Sequence, residues 1–236
     1  MQVLKSLIKA RLPRAYSLYL SSREHFAAQI FTKIYKTNHW GDHWSVSGPA
    51  SSLIATERIR EPLARLIREL KTDTILDIPC GDHLWMSEVK LGNCNYIGAD
   101  IVEELLEQTA RRYGGSGKSF LNLDITKANL PRADLILTRD CLVHLSFKAI
   151  GRALRNIKLS GSRYLLTTTY PNLMANEDVR TGGWRQLNLQ AAPFCFPEPL
   201  LLIRDDYEDP RDWDGQNRDK HLGLWLVDSL PSSEML

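Results

Sequence analysis

Ile75-Leu-Asp-Ile-Pro-Cys-Gly-Asp-His-Leu-Trp85 is the stretch that decides the fold. A short apolar run ends in an acid, Asp77. A tight turn with Pro79 and Gly81 follows, and a short helix is expected over residues 84–89. Gly81 lets backbone N–H groups approach a ligand closely, and Pro79 fixes φ at the bend. In an open parallel sheet, ligands bind beyond the carboxyl ends of the strands, where the strand order reverses. This turn is therefore the first candidate site.

Working outward, strands are expected over residues 74–78, 96–100, 119–123, 133–138 and 164–169, with helices over 102–113 and 146–157 between them. Strands alternating with helices predict a parallel sheet covered on both faces. Two last strands are expected at 200–203 and 222–227, making seven. The second strand ends in Asp100, about 20 residues beyond the glycine turn, where a carboxylate can accept hydrogen bonds from ribose hydroxyls. The third runs into Asp124, which could receive an adenine amino group with Ile125 against the ring. A single Asp at a strand end is an ordinary turn or cap residue. Three on consecutive strands make a pattern.

Before the sheet, a long helix is expected over residues 53–70 and another over 22–36. The loop of residues 37–52 carries Trp40 and Trp44 and is read as a lid. Domain organisation follows: residues 1–52 form an N-terminal helical extension with its Trp-containing loop, and residues 53–236 the main domain. Residues 171–199 depart from the alternation and hold Trp184, Phe194 and Phe196, so they are read as a substrate-side excursion. The segment of residues 204–221 holds seven acids and is expected to be a solvated hairpin loop.

Composition narrows the function. Hydrophobic residues at 43% and charged residues at 25% exclude a wholly disordered chain. Thirty Lys+Arg against 28 Asp+Glu is too balanced for a dedicated nucleic-acid binder. Charge is uneven, however: residues 1–36 carry seven basic side chains and one acid. Three readings of this stretch stay open: a packed surface helix, peripheral contact with an anionic membrane, and a removed transit peptide. The four cysteines show no paired spacing and are read as reduced thiols of a cytoplasmic compartment. His39 and His43 are four apart, but Gly41 between them argues for a loop rather than a helix face, so no metal is expected.

Four motifs in order, Asp77-x-Pro-Cys-Gly-Asp, Ile97-Gly-Ala-Asp100, Leu123-Asp-Ile-Thr126 and Arg139-Asp-Cys-Leu-Val-His-Leu145, resemble those of class I S-adenosylmethionine-dependent methyltransferases. The resemblance spans residues 53–227. Trp40-Gly41, Ser45-Val-Ser-Gly-Pro49, and the Thr181–Leu189 and Pro193–Pro197 stretches further resemble a bacterial-type branch sometimes associated with polysaccharide biosynthesis. Pro79 and His83 stand where the usual first motif has its first and third glycines, so the order of the motifs carries the likeness.

The resemblance implies a seven-stranded, mostly parallel Rossmann-like sheet with helices on both faces. It implies S-adenosylmethionine as cofactor, with Asp77, Pro79, Cys80 and Gly81 at its methionine end and Asp100 with Ile101 at the ribose. Asp124 and Ile125 would meet the adenine, Arg139 and Asp140 would lie near the sulfonium and acceptor, and Trp40 of the lid loop would also contact the cofactor. His144 and Asp140 are the candidate bases, with His39 and His43 as second candidates. Arg180, Trp184 and Arg185 are candidates for holding a small-molecule or glycan acceptor. Two alternatives stay open: an NAD-dependent Rossmann oxidoreductase and a non-catalytic cofactor-binding module. Oligomeric state is left open.

Overall fold

The computed structural model describes residues 27–207 and 217–231. The basic amphipathic stretch up to residue 26 lies outside the described residues. Seven strands form one sheet: β1 (Thr74–Asp77), β2 (Asn95–Asp100), β3 (Lys118–Asn122), β4 (Leu135–Thr138), β5 (Tyr164–Thr169), β6 (Leu201–Arg204) and β7 (His221–Leu226). Their order is β3-β2-β1-β4-β5-β7-β6. All pairs are parallel except β5–β7 and β6–β7, so β7 alone runs against the rest. The order reverses between β1 and β4.

Among the described residues, four α-helices cover the sheet: α1 (Ala27–Lys36), α2 (Glu57–Glu69), α3 (Glu103–Tyr113) and α4 (Phe147–Leu159). Burial on both faces explains the apolar strand interiors: β4 and β5 are buried throughout. Neighbouring residues of a strand serve opposite faces. Leu76, Ile136 and Leu165 join the cluster that includes Ala149, Ile150 and Leu154 of α4. Ile75, Leu135 and Leu166 join the cluster that includes Ile59, Leu63 and Ile67 of α2. Ser146 starts α4 by accepting the Ala149 N–H on its hydroxyl at 3.2 Å.

Four expectations need correction. The helix expected from residue 53 begins at Glu57. The Ser52 hydroxyl accepts the Ala55 N–H and holds residues 52–56 in turns. No full helix follows β1, only one 3-10 turn, Met86–Glu88, because the Asp82 carboxylate accepts the Leu84 N–H in a local turn. The supposed solvated hairpin buries both its ends: Asp205 is 0% and Lys220 1% exposed. Residues 208–216 between them lie outside the described residues. Phe194 and Phe196 belong to the main core rather than to an acceptor surface. Among the described residues no helix is long and apolar enough to cross a membrane.

Ile136 sits fully buried at the sheet centre, so Ile136→Ala should lower unfolding free energy by roughly 3 kcal/mol in urea titrations, with little change in the slope m.

Candidate functional site

The carboxyl ends of β1, β2 and β4 open into a cavity of about 550 Å³. It lies at the order reversal, as the open-sheet rule predicts. Asp77, Pro79, Cys80, Gly81, Asp100, Ile101, Asp124, Ile125, Arg139, Asp140, His144, Trp40 and Trp184 all line it. Arg180 and Arg185 do not, and neither do His39 and His43.

The turn after β1 is built for close approach. Gly81 has φ +54°, and a Cβ there would collide with the Ser47 side chain. The Gly81 N–H donates to Asp100 Oδ2 at 3.1 Å, and the Val102 N–H donates to Asp100 Oδ1 at 2.9 Å. Burial nonetheless pushes Asp100 up to about 6, against the backbone N–H groups of Val102, Gly81 and Ile101 that lower it. Asp77 is pushed further, to about 7, chiefly by burial and partly by Asp100, although the Tyr96 hydroxyl donates to its Oδ2 at 2.6 Å.

Asp124 lies just past β3. Its Oδ1 accepts both the N–H and the hydroxyl of Thr126, at 2.9 and 2.7 Å. Its buried Oδ2 receives no hydrogen bond. The Lys127 ammonium is 3.2 Å away but off the hydrogen-bonding direction, which leaves Oδ2 open to a donor.

A strap upstream of α2 closes one side. Ser45 Oγ donates to Asp82 Oδ2 at 2.7 Å, and the Asp82 N–H donates to Ser47 Oγ at 3.0 Å. Trp40 packs at 5.3 Å between ring centroids against His144. Trp44 is 76% exposed and absent from the cavity lining, so of the two loop tryptophans Trp40 alone reaches the site.

Arg139 leaves β4 fully paired. Its Nε and one terminal nitrogen donate to Asp205 at 3.0 and 2.9 Å, and that nitrogen also donates to the Ala50 carbonyl at 2.9 Å. The guanidinium lies over Trp85. Arg139 thus ties strap to hairpin rather than offering a free cation. Asp140 follows with φ +52°, its Oδ2 2.6 Å from Lys220 Nζ. Burial disfavours its charge, but Lys220 and Arg139 outweigh that and hold it at about 2. Asp140 therefore stays ionised and is a poor base at neutral pH, which corrects its candidacy.

His144 ends the 3-10 turn Leu142–His144. Its Nδ1 is 2.7 Å from the Gly183 carbonyl, an acceptor only, so Nδ1 carries the proton and Nε2 the lone pair in the neutral ring. Burial lowers its pKa below the ordinary value, outweighing the opposing pull of Gly183 and Asp140. Arg185, a candidate acceptor ligand, instead donates to the Leu142 and Leu145 carbonyls at 2.8 and 2.7 Å. It clamps the excursion onto the turn that carries His144. Trp184 beside it, 41% exposed, faces the cavity.

Tyr170, Tyr207 and Lys220 also line the cavity and went unread in the sequence. None sits in a spacing that marks it, although Lys220 breaks an acid-rich run. No family model matches the chain, and comparison with curated proteins finds no match. Solved structures do match. One is the 1,6-didemethyltoxoflavin N1-methyltransferase of Burkholderia thailandensis, solved with its substrate and S-adenosylhomocysteine (16% identity, 86% of this chain and 89% of that one, TM-score 0.57). Another is magnesium protoporphyrin IX methyltransferase from Synechocystis PCC 6803 with bound SAM (10%, 85% and 96%, 0.54). A third is the methyltransferase domain of bacterial CtHen1 (10%, 73% and 98%, 0.53). The likeness is one of fold: the Rossmann-like methyltransferase sheet.

The raised Asp77 makes a pH prediction. The native state holds this proton more tightly than the unfolded chain, so its contribution is complete below pH 4 and lost as pH rises through about 7. The unfolding free energy of the wild type minus that of Asp77→Asn should fall between pH 4 and 7 and level above. Chemical denaturation at half-unit pH steps reads it.

Proposed function

We propose that the cavity binds S-adenosylmethionine and that the protein transfers its methyl group to a hydroxyl of a small neutral acceptor, a sugar ring included. The observation that carries this reading is charge. Five carboxylates line the cavity, Asp77, Asp82, Asp100, Asp124 and Asp140, against two cations, Arg139 and Lys220. Both cations are already paired with Asp140 and Asp205. Such a site suits a ligand bearing a sulfonium and an ammonium. A dinucleotide would bring a pyrophosphate against Asp82 and Asp100, with only a 3-10 turn after β1 in place of a helix N-terminus to receive it.

The residues fit the cofactor end to end. Asp100, held by backbone N–H groups at the end of β2, offers its carboxylate to the two ribose hydroxyls. The unsatisfied Oδ2 of Asp124 suits the adenine amino group, with Ile125 on the ring. Asp77 and the Gly81 turn take the amino-acid end. When bound, the cofactor supplies a methyl carbon made electrophilic by its sulfonium sulfur.

The chain's own part is alignment, water exclusion and proton removal. The strap and Trp40 screen the reacting centre from water. His144 accepts the hydroxyl proton on Nε2 while Gly183 fixes the ring through Nδ1. Burial keeps the imidazole neutral and ready to act above its lowered pKa. Trp184 offers a flat face to the acceptor. Arg185 is committed to carbonyls and does not line the cavity, so it is not placed to ligate the acceptor directly.

Calorimetric titration tests the reading, with S-adenosylmethionine and NAD as parallel titrants. Micromolar binding of the methyl donor is expected, weakened at least about tenfold by Asp100→Ala. Absence of binding, or preference for NAD, overturns it. Once an acceptor is found, His144→Ala should lower kcat about 10²-fold or more while leaving donor affinity unchanged.

A further inference from the structure

A buried polar chain leads away from the cavity. Asp77 Oδ2, the Tyr96 hydroxyl and His83 Nδ1 follow one another at 2.6 and 3.0 Å. The three residues are 2%, 1% and 0% exposed, and of them Asp77 alone lines the cavity. His83 has φ +57°, a left-handed turn position that glycine fills without strain. An imidazole is nevertheless buried there, and the chemistry proposed above gives it no part.

Counting protons shows what it does. A tyrosine hydroxyl donates one hydrogen, so Tyr96 serves either the carboxylate or the imidazole. With Asp77 ionised, Tyr96 donates to Asp77, and His83 must carry its proton on Nδ1. With Asp77 protonated, the carboxyl donates to the tyrosine oxygen. Tyr96 then donates to Nδ1, and the imidazole proton sits on Nε2. The surroundings of Nε2 favour the second arrangement. Nε2 is buried with no hydrogen-bond partner among the described residues. The rings of Tyr113 and Phe120 stand at 63° and 90° to the imidazole, 5.0 and 5.5 Å away between centroids. An N–H can rest against an aromatic face, whereas a lone pair finds no donor there. Burial, with a smaller push from Lys118, lowers His83 to about 4. The ring is therefore neutral and acts through its hydrogen bond rather than through charge. The raised Asp77, at about 7, agrees with a held proton.

We propose that His83 is a positioning residue for the cofactor's amino-acid end: by claiming the Tyr96 hydroxyl it keeps a proton on Asp77 in the ligand-free protein, to be exchanged for the ligand's ammonium. This rests on the proposed binding of S-adenosylmethionine. On binding, the Asp77 proton passes to solvent, Tyr96 turns its hydroxyl to the carboxylate, and His83 exchanges its Nε2 proton for one on Nδ1. One proton leaves Asp77 for each ammonium that enters. The other groups acting on the chain are Asp100, which favours the Asp77 proton, Arg139, which opposes it, and Cys80, which acts on Tyr96.

Carbon NMR of the isotope-labelled Asp77 carboxyl, in the full chain without ligand, tests the chain. In His83→Phe, Tyr96 serves Asp77 alone, and the Asp77 midpoint should fall by about one pH unit. In Tyr96→Phe the carboxylate loses its donor, and the midpoint should rise. In the double variant the midpoint should match that of Tyr96→Phe, because a neutral His83 acts only through the hydroxyl. An unmoved midpoint in folded His83→Phe overturns the proposal, and so does a fall of equal size without the Tyr96 hydroxyl. Where His83→Phe does not fold, the wild type decides. Nitrogen NMR of His83 should pass from the Nε2–H to the Nδ1–H tautomer as Asp77 ionises, and a constant tautomer overturns the proposal. Calorimetry with S-adenosylhomocysteine, which carries the ammonium, then counts protons at about pH 6.5 in buffers of differing ionisation enthalpy. His83→Phe should cut the release by roughly half a proton. Equal release from both proteins overturns the proposal and leaves the methyl-donor site standing. Absence of binding overturns that site and the ammonium exchange together, while the carboxyl titration still reads the chain, so the two failures are distinguishable.

Discussion

The buried Arg139 guanidinium is the contact on which the site depends. One side chain, at the end of the central strand β4, holds Asp205 through two nitrogens, the Ala50 carbonyl through one of them, and Trp85 across its face. Those partners belong to the C-terminal hairpin, the upstream strap and the segment after β1. None lies within fifty residues of Arg139 along the chain. Bidentate pairing to a carboxylate needs the planar fork, which lysine lacks. Removing either partner would strand a buried charge, so strap and hairpin are held together or not at all.

The excursion of residues 171–199 obeys a second constraint of the same kind. Arg185 donates to two carbonyls of the turn at His144, and the Gly182 N–H donates to the His144 carbonyl at 2.8 Å. The imidazole is thus caged by backbone from an element forty residues on. Catalytic geometry held by backbone carbonyls varies less than geometry held by mobile side chains. In the proposed reading, that is the rigidity His144 would need to meet a hydroxyl within hydrogen-bond reach.

This pattern of contacts explains what could be read from the sequence. Strand positions came out within two residues, because apolar runs bounded by turns report burial directly. Asp77, Asp100 and Asp124 could be found because the strand–turn–acid rhythm is local. Lys220 and Asp205 could not, because each works through a partner 66 or 80 residues away, and an acid-rich run looks solvated from composition alone. Arg185 was misjudged for a related reason: a sequence reports that a guanidinium is present but not that neighbouring carbonyls already occupy it. The missing helix after β1 reflects Asp82, whose side chain competes for backbone donors in a way that apolar spacing does not register.

The cavity is divided electrically. On the side of β1, β2 and β3 the lining holds Asp77, Asp82, Asp100 and Asp124, with Arg139 acting on Asp77 and Lys127, outside the lining, 3.2 Å from Asp124. On the side of β4, Asp140 is balanced by Lys220 and Arg139. Burial, helped to a smaller extent by repulsion from neighbouring acids, raises Asp77 to about 7 and Asp100 to about 6, so the charged forms of both are disfavoured. A cation placed among them relieves that repulsion and draws the protons off, so binding and proton release are linked. An anionic ligand would aggravate the repulsion, whereas a neutral acceptor on the balanced side would meet no net field. In the proposed reading this division distinguishes cofactor from acceptor before either makes a hydrogen bond. In that same reading, the electrostatic cost of the anionic half favours a sulfonium there.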